Sequence, residues 1–150
     1  MSANVVIDEA APDTAYGVLA TSEDAVLIDV RTRAEWDHYG IPDLSATGRS
    51  LWLIEWVTGP GRAPTPAFFE ELMAQSGGTL PGRMMFICKS GGRSWSAAHA
   101  VGALAEHLGQ DVHCTNVAEG FDGHPAAGPQ SGWKARGLPC RENGYERGKE

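Results

Sequence analysis

Short apolar runs alternate with amphipathic stretches along the 150-residue chain. The runs "AVLID" (Ala25–Asp29) and "RMMFIC" (Arg83–Cys88) are almost continuously apolar, which is typical of strands buried on both faces of a sheet. Val5–Ile7 and "DVHCTNV" (Asp111–Val117) predict two further strands. "SLWLIEWV" (Ser50–Val57) alternates loosely between apolar and polar positions and predicts a fifth.

Helical segments are predicted between these strands, over 11–20, 31–40, 66–76 and 94–109. The second is short enough to be only a turn. Thr65 is suited to cap the third helix and Gly77 to end it, whereas Ile41-Pro42 predicts a loop. On the fourth helix, six apolar residues fall on one face at helical spacing and should be buried: Ala97, Ala98, Val101, Leu104, Ala105 and Leu108.

The alternation of strands and helices predicts an α/β fold. Because parallel strands need crossover connections, we expect right-handed βαβ units that form a central five-stranded parallel sheet with helices on both faces. A chain of this length is typical of one domain. We expect this domain to span residues 1–140, followed by a polar, flexible tail over 141–150.

Charge and hydropathy limit the partners of the protein. The net charge is -7 and the pI is near 5.2, which argues against a protein that binds nucleic acid through its phosphates. An anionic substrate would need a local positive patch, because the overall field repels it. The sequence contains no secretory signal and no apolar stretch of membrane-spanning length, so we expect no membrane partner and a cytoplasmic protein.

The cysteines and histidines do not form metal-binding or disulfide patterns. Cys88, Cys114 and Cys140 are far apart, which favours a reducing compartment. The five histidines lack metal-ligand spacing, so we expect neither a metal nor another cofactor. Cys114 is expected to be a strand residue and Cys140 a thiol of the tail, and a redox pair of Cys140 with Cys88 stays open.

Cys88 stands between a predicted strand and a cationic, glycine-rich loop that leads into a helix. The N-terminus of a helix has unpaired N–H groups and a partial positive charge, and both favour a thiolate. Gly91 and Gly92 would let the loop amides turn inward toward an anion. Lys89 and Arg93 supply charge for an incoming anion, and Arg93 can bind oxygens in a bidentate manner.

Each of these features has an ordinary explanation when it is taken alone. A cysteine at a strand end is usually a small buried hydrophobe, and two glycines usually form only a turn. It is their order, namely strand, cysteine, cationic loop and helix, that indicates a reactive thiol.

Three motifs in order resemble those of the single-domain rhodanese-type sulfurtransferases. They are "VLIDVRTRAEW", "CKSGGRS", and "NVAEGF" with "GWKARGLP", and the resemblance extends from about Val5 to Pro139. It implies a parallel five-stranded α/β fold and a catalytic cysteine at Cys88. The loop matches the substrate-binding cradle of the family, whose amides belong to Lys89, Ser90, Gly91, Gly92, Arg93 and Ser94.

The resemblance implies sulfur transfer through a persulfide on Cys88. A small anionic donor such as thiosulfate would supply the sulfur, and a thiol or cyanide-like acceptor would remove it. The first alternative is a sulfur-relay or regulatory module that exchanges sulfur with a protein partner. The second is a phosphatase or arsenate-handling enzyme, but Cys88 and Arg93 enclose four residues, whereas the related phosphatases have five.

Several positions outside the loop have open roles. Residues 122–132 are longer than is usual in the family; this insertion either walls the pocket or is a tolerated surface loop. We interpret Asp29 as scaffold or as an acceptor for loop amides, and Arg31 as a partner of Glu35 at i,i+4 spacing. Among the histidines, only His124, in the insertion, is a candidate for the site, and Trp95 could line the pocket mouth.

Overall fold

A computed structural model describes residues 3–58 and 63–143 of the chain. The strands of these residues, in chain order, are β1 (Val5–Ala10), β2 (Ala25–Asp29), β3 (Ile41–Pro42), β4 (Ser50–Leu53), β5 (Val57–Thr58), β6 (Ala63–Pro64), β7 (Arg83–Ile87), β8 (Val112–Val117) and β9 (Cys140–Arg141). The α-helices are α1 (Pro12–Thr21), α2 (Arg33–Tyr39), α3 (Ala67–Ser76) and α4 (Gly92–Leu108).

Five strands form one parallel sheet in the order β1-β8-β7-β2-β4, so β7 lies at its centre. Helices cover both faces of the sheet. One core contains Phe68 and Leu72 of α3 and the buried face of α4, and the other contains Leu19 of α1 together with Trp133. The predicted fold class, an α/β fold with a central five-stranded parallel sheet, is confirmed.

The fourth helix differs from the prediction at Leu104, which is only partly buried, at Leu108 and at its first residue. Ala97, Ala98, Val101 and Ala105 are fully buried, as their spacing predicted. Leu108 is 45% exposed because it lies in the last turn, immediately before the C-cap at Gly109. The helix also begins at Gly92, two residues earlier than predicted.

The end of the domain differs from the prediction. Ile41–Pro42 is not a loop but pairs antiparallel with Cys140–Arg141, a contact that no local pattern encodes. Asn143 is 6% exposed, and its side-chain amide donates to Asp37 at 2.8 Å. The boundary at residue 140 stays a prediction, and residues 144–150 of the predicted tail lie outside the described residues.

Two other boundaries differ. The strand predicted over Ser50–Val57 ends at Leu53, and Val57–Thr58 pairs instead with Ala63–Pro64. Helix α3 begins at Ala67, one residue later than predicted, but the hydroxyl of Thr65 accepts the Ala67 N–H at 3.3 Å.

The loop after β7 is held by the segment after β8. The N–H groups of Phe121 and Asp122 donate to the carbonyls of Cys88 and Lys89, at 2.8 and 2.9 Å. Gly120 precedes these two residues with a φ of +72°, and a Cβ there would lie 2.5 Å from the Lys89 carbonyl carbon. Only glycine allows the two backbones to approach so closely.

We predict that Gly120→Ala destabilises the protein by at least about 2 kcal/mol, because the new methyl group meets backbone and the φ is unfavourable for alanine. Urea unfolding followed by circular dichroism measures the loss. Gly17→Ala is the matched control, since Gly17 is exposed on α1 with no atom within 4 Å of a new Cβ. We expect the control to gain up to about 1 kcal/mol. Equal stability of the two variants would contradict this account of Gly120.

Candidate active site

Cys88 directly follows the central strand β7 and precedes α4. In an open parallel sheet, the crevice beyond the carboxyl ends of the strands is where ligands bind. Because β7 lies between β8 and β2, the loop after Cys88 is flanked by the ends of both neighbouring strands. The fold therefore places this thiol at the usual position of a ligand site.

The sulfur of Cys88 lies at the N-terminus of α4. The N–H of Gly91, the N-cap residue, donates to Cys88 Sγ at 3.2 Å. The first intrahelical bond runs from Trp95 N–H to the Gly91 carbonyl, so the amides of Gly92, Arg93 and Ser94 precede the hydrogen-bond ladder. Amides of this kind, together with the helix dipole, form an anion site.

The two loop glycines differ in what they contribute. Gly91 has a φ of +110°, and a Cβ there would collide with the carbonyl oxygen of Ala118. Gly92 is exposed, and a Cβ there would meet no atom within 4 Å. The turn therefore requires glycine at 91, whereas the protein itself imposes no steric requirement at 92.

The thiol of Cys88 is buried. The residue is 1% exposed and belongs to the core between the sheet and α4. Its sulfur nevertheless has polar neighbours, since Gly91 N–H donates to it and Ser94 Oγ lies 3.3 Å away. One loop amide contacts the sulfur directly, where the sequence predicted a cradle of six.

Arg93 forms an ion pair inside the protein. Its two terminal nitrogens lie 2.8 Å from the two carboxylate oxygens of Glu35, and both side chains are largely buried. Burial alone would raise the pKa of Glu35, but the hydrogen bonds from Arg93 and from the Thr32 amide outweigh it and lower the pKa to about 2. The hydrogen bonds between Arg93 and Glu35 also raise the pKa of Arg93. The guanidinium thus joins α2 to α4 beside the site.

Lys89 and Ser90 complete the loop. Lys89 is exposed, and among the described residues its ammonium has no ion-pair partner. Ser90 is half-buried. Of the two cations predicted for this loop, Lys89 is therefore the one available to an anion from solution.

Arg31 and Asp29 form a buried pair, which corrects the expectation for Arg31 and fits the interpretation of Asp29 as scaffold. Arg31 binds Asp29 through its Nε and Nη2 atoms, the shortest distance being 2.7 Å, and both side chains are fully buried. The predicted pair of Arg31 with Glu35 is wrong, because Arg93 occupies that carboxylate. Asp29 accepts the Arg31 amide rather than loop amides. The guanidinium also lies 4.2 Å above the ring of Phe121, which braces the Cys88 carbonyl.

The insertion over 122–132 folds on itself. Pro125–Ala127 form a short 3-10 helix, and His124 Nδ1 accepts the Ala126 N–H at 3.1 Å, so His124 serves here as a cap. Residues of the insertion, including Ser131, line a cavity of about 320 Å³. The part that touches the loop is its start, through the Asp122 amide. A role in walling the pocket stays a prediction.

The other candidate side chains have varied environments. Cys114 is a buried strand residue, as predicted, and burial raises the pKa of its thiol to about 12. Cys140 lies in β9 rather than in a tail, and burial raises its pKa too. Trp95 is 48% exposed and stacks on His99, with ring centroids 4.0 Å apart. Within the described ranges, no cluster of His, Cys, Asp and Glu could hold a metal ion.

Asn116 is the residue of this site that sequence reasoning missed. It lies in β8, next to β7, and its Oδ1 is 2.5 Å from Ser94 Oγ. A polar residue near the carboxyl end of a predicted strand was the available signal. Asn116 lies near Cys88 because β8 is the neighbour of β7 in the sheet. The sequence did not specify this strand order.

No family model matches the chain. An uncharacterized protein of Rickettsia rickettsii, a homolog of RP600, is 31% identical over 125 residues, which cover 83% of this chain and 89% of that protein. Among solved structures, Rv0390 from M. tuberculosis is 34% identical, with a TM-score of 0.73 over 93% of this chain and 100% of that chain.

More distant structures show the fold alone. The polysulfide-sulfur transferase homodimer of Wolinella succinogenes is 23% identical, with a TM-score of 0.56 over 94% of this chain and 81% of that one. A Rhodopseudomonas palustris protein described as a possible tyrosine phosphatase is 20% identical, with a TM-score of 0.51 over 90% and 85%. The architecture is the rhodanese-like α/β fold. The chain belongs to the family that contains the Rickettsia rickettsii protein and Rv0390.

We predict that Glu35→Gln lowers the stability of the protein at pH 7 by about 1–3 kcal/mol, because the buried guanidinium of Arg93 loses its charged partner. The pKa of Glu35 is lower in the folded protein than its usual 4.5, so its stabilising effect is complete above about pH 4.5 and disappears toward pH 2. The gap between wild type and variant should therefore close over this range.

Urea unfolding at pH 7 and at three lower pH values measures this gap. Glu106→Gln, which neutralises an exposed carboxylate on α4, the helix that carries Arg93, is the control and should change stability by less than about 0.5 kcal/mol. A gap for Glu35→Gln that stays constant from pH 7 to pH 2 would contradict the assigned ion pair.

Proposed function

We propose that the protein is a sulfurtransferase that moves a sulfane sulfur from a donor such as thiosulfate to a thiophilic acceptor through a persulfide on Cys88. The observation that carries the proposal is the position of Cys88 Sγ at the N-terminus of α4. There it accepts the Gly91 N–H, and three further amides precede the helical ladder. Such an environment stabilises a sulfur anion.

The reaction proceeds in two displacements. The thiolate of Cys88 attacks the outer sulfur of thiosulfate, a sulfur–sulfur bond forms, and sulfite leaves with the electron pair of the broken bond. The terminal sulfur of the persulfide is then attacked by the acceptor, for example cyanide or a thiolate. The new bond to the acceptor replaces the bond to Cys88, and the cysteine thiolate is restored without any cofactor.

The backbone and the side chains of the loop have different roles. We propose that the amides of Gly92, Arg93 and Ser94 bind the negatively charged persulfide, because these N–H groups precede the hydrogen bonds of the helix. Lys89 attracts the anionic donor against the overall charge of -7. Arg93 adds a positive potential, while its ion pair with Glu35 fixes the start of α4.

The burial of Cys88 favours a small donor, since the thiol is 1% exposed and a bulky molecule would have to displace the core around it. A reducing cytoplasm would suit the three free cysteines. The phosphatase alternative is disfavoured by the four-residue spacing between Cys88 and Arg93.

A sulfur-relay module is the second candidate, in which a protein partner loads Cys88. Trp95 favours it, because a large aromatic side chain that is 48% exposed, one residue after the loop, offers a contact for another protein. Persulfide that forms with a partner but not with thiosulfate would select this candidate.

We predict that incubation with thiosulfate adds one sulfur atom to the protein and that Cys88→Ser abolishes the addition. Intact-mass spectrometry measures the added mass, and cyanide should remove it as thiocyanate. Cys140→Ser is the matched control and should load normally. If Cys88→Ser gains the same mass as wild type, the proposed nucleophile is wrong.

We also predict that Lys89→Gln raises the KM for thiosulfate by about two- to fivefold at low salt, since an exposed charge contributes modestly to binding. The effect should shrink at high ionic strength. Lys134→Gln makes the same charge change at an exposed site outside the Cys88 loop and should leave the KM unchanged. Equal effects of the two substitutions would show that only net charge matters.

A further inference from the structure

A line of hydrogen-bonded side chains leads from Cys88 to β1. Ser94 Oγ lies 3.3 Å from Cys88 Sγ and 2.5 Å from Asn116 Oδ1. Asn116 Nδ2 in turn donates to the Glu9 carboxylate at 2.8 Å and to the Gly91 carbonyl at 3.2 Å. Ser94 is fully buried and Asn116 is 1% exposed, so the two side chains depend on each other for partners.

The amide of Asn116 has a fixed orientation. A carboxylate and a carbonyl only accept hydrogen bonds, so the atom that faces both Glu9 and Gly91 is the NH2 group. Its two hydrogens are used by these two acceptors. The amide oxygen therefore faces Ser94 and must accept from its hydroxyl.

The hydroxyl of Ser94 has one hydrogen, but two atoms lie within hydrogen-bond distance of its oxygen: Cys88 Sγ and Asn116 Oδ1. Because Asn116 Oδ1 can only accept, that hydrogen is donated to Asn116, across 2.5 Å. The oxygen of Ser94 consequently turns its lone pairs to Cys88, so in this arrangement a hydrogen bond across the 3.3 Å contact can be donated only by the thiol. In this arrangement the sulfur accepts from Gly91 N–H and donates to Ser94.

We propose that Asn116 is a positioning residue that holds the hydroxyl hydrogen of Ser94 away from Cys88 and so withholds one hydrogen bond from the sulfur anion. When the thiol releases its proton to solvent, the hydroxyl can turn, breaking its bond to Asn116 and donating to the sulfur anion. The neutral amide relays no proton itself. The inference rests on the proposed role of Cys88 as the nucleophile.

Other charged groups near Cys88 do not depend on Asn116. They come from the end of β2, from α2, from α4 and from the loop: Asp29, Arg31, Glu35, Arg93 and Lys89. The first four form two ion pairs, which substitution at 116 leaves in place. Glu9 on β1 is connected to the site by its hydrogen bond with Asn116.

The test is the pH dependence of Cys88 alkylation by iodoacetamide. Trypsin cleaves after Arg83 and Lys89, so Cys88 is quantified in a peptide that contains no other cysteine. In Asn116→Ala the hydroxyl of Ser94 is free to donate to the thiolate. We expect the pH of half-maximal alkylation to fall by about one unit, the effect of one hydrogen bond to a charged group. An unchanged or higher value overturns the proposal.

The Ser94→Ala variant tests whether Asn116 affects Cys88 through the Ser94 hydroxyl. There Asn116→Ala should cause no further shift, because the group that Asn116 positions is missing. A full shift in this background would mean that Asn116 acts through Glu9 or Gly91, and it would overturn the assignment to Ser94.

Asn116→Leu is the second variant, in case Asn116→Ala fails to fold by circular dichroism. It fills a similar volume without adding a charge and offers the Ser94 hydroxyl no acceptor, so it should lower the pH of half-maximal alkylation as alanine does. A rise, or no change, contradicts the proposal.

Alkylation needs no sulfur donor, so its outcome is separate from that of persulfide loading. If the shift appears but thiosulfate adds no sulfur, the proposed function fails and the control of the thiol stands. If loading succeeds without the shift, this inference alone fails.

Discussion

The geometry of this protein depends on the N-terminus of one helix being directed at one sulfur atom. Helix α4 begins four residues after Cys88, and its N-cap amide donates to Sγ. The length of the loop and the left-handed conformation of Gly91 bring the sulfur and the free amides together.

Backbone contacts and ion pairs keep this arrangement in place. Gly120 lets the segment after β8 lie directly against the loop. The Arg93–Glu35 pair connects α4 to α2, and the buried Arg31–Asp29 pair lies under Phe121. Buried charges of this kind contribute to geometry more than to net stability, because desolvation offsets much of their attraction. Their partners therefore had to be protein groups, which explains why Arg93 is not free for a substrate.

The sequence predicted the architecture better than the contacts of the site. The apolar runs that became β2 and β7 are continuous in the sequence and therefore visible as local patterns, and the order of strand, cysteine, glycine loop and helix followed from them. The pairing of Ile41–Pro42 with Cys140–Arg141 depends on residues about a hundred positions apart. The choice of Arg31 between Asp29 and Glu35 was decided by Arg93, a competitor that spacing does not reveal. The role of Asn116 likewise required knowing which strands are neighbours.

The central claim is that the amides at the start of α4 hold a sulfur anion on Cys88. Amide proton shifts of the 15N-labelled protein, recorded by NMR before and after addition of thiosulfate, test it most directly. The account predicts that the amide protons of Gly91, Gly92, Arg93 and Ser94 move downfield as they bind the charged sulfur, and that cyanide reverses the change. Addition of one sulfur atom to Cys88 without movement of these four amides would contradict it.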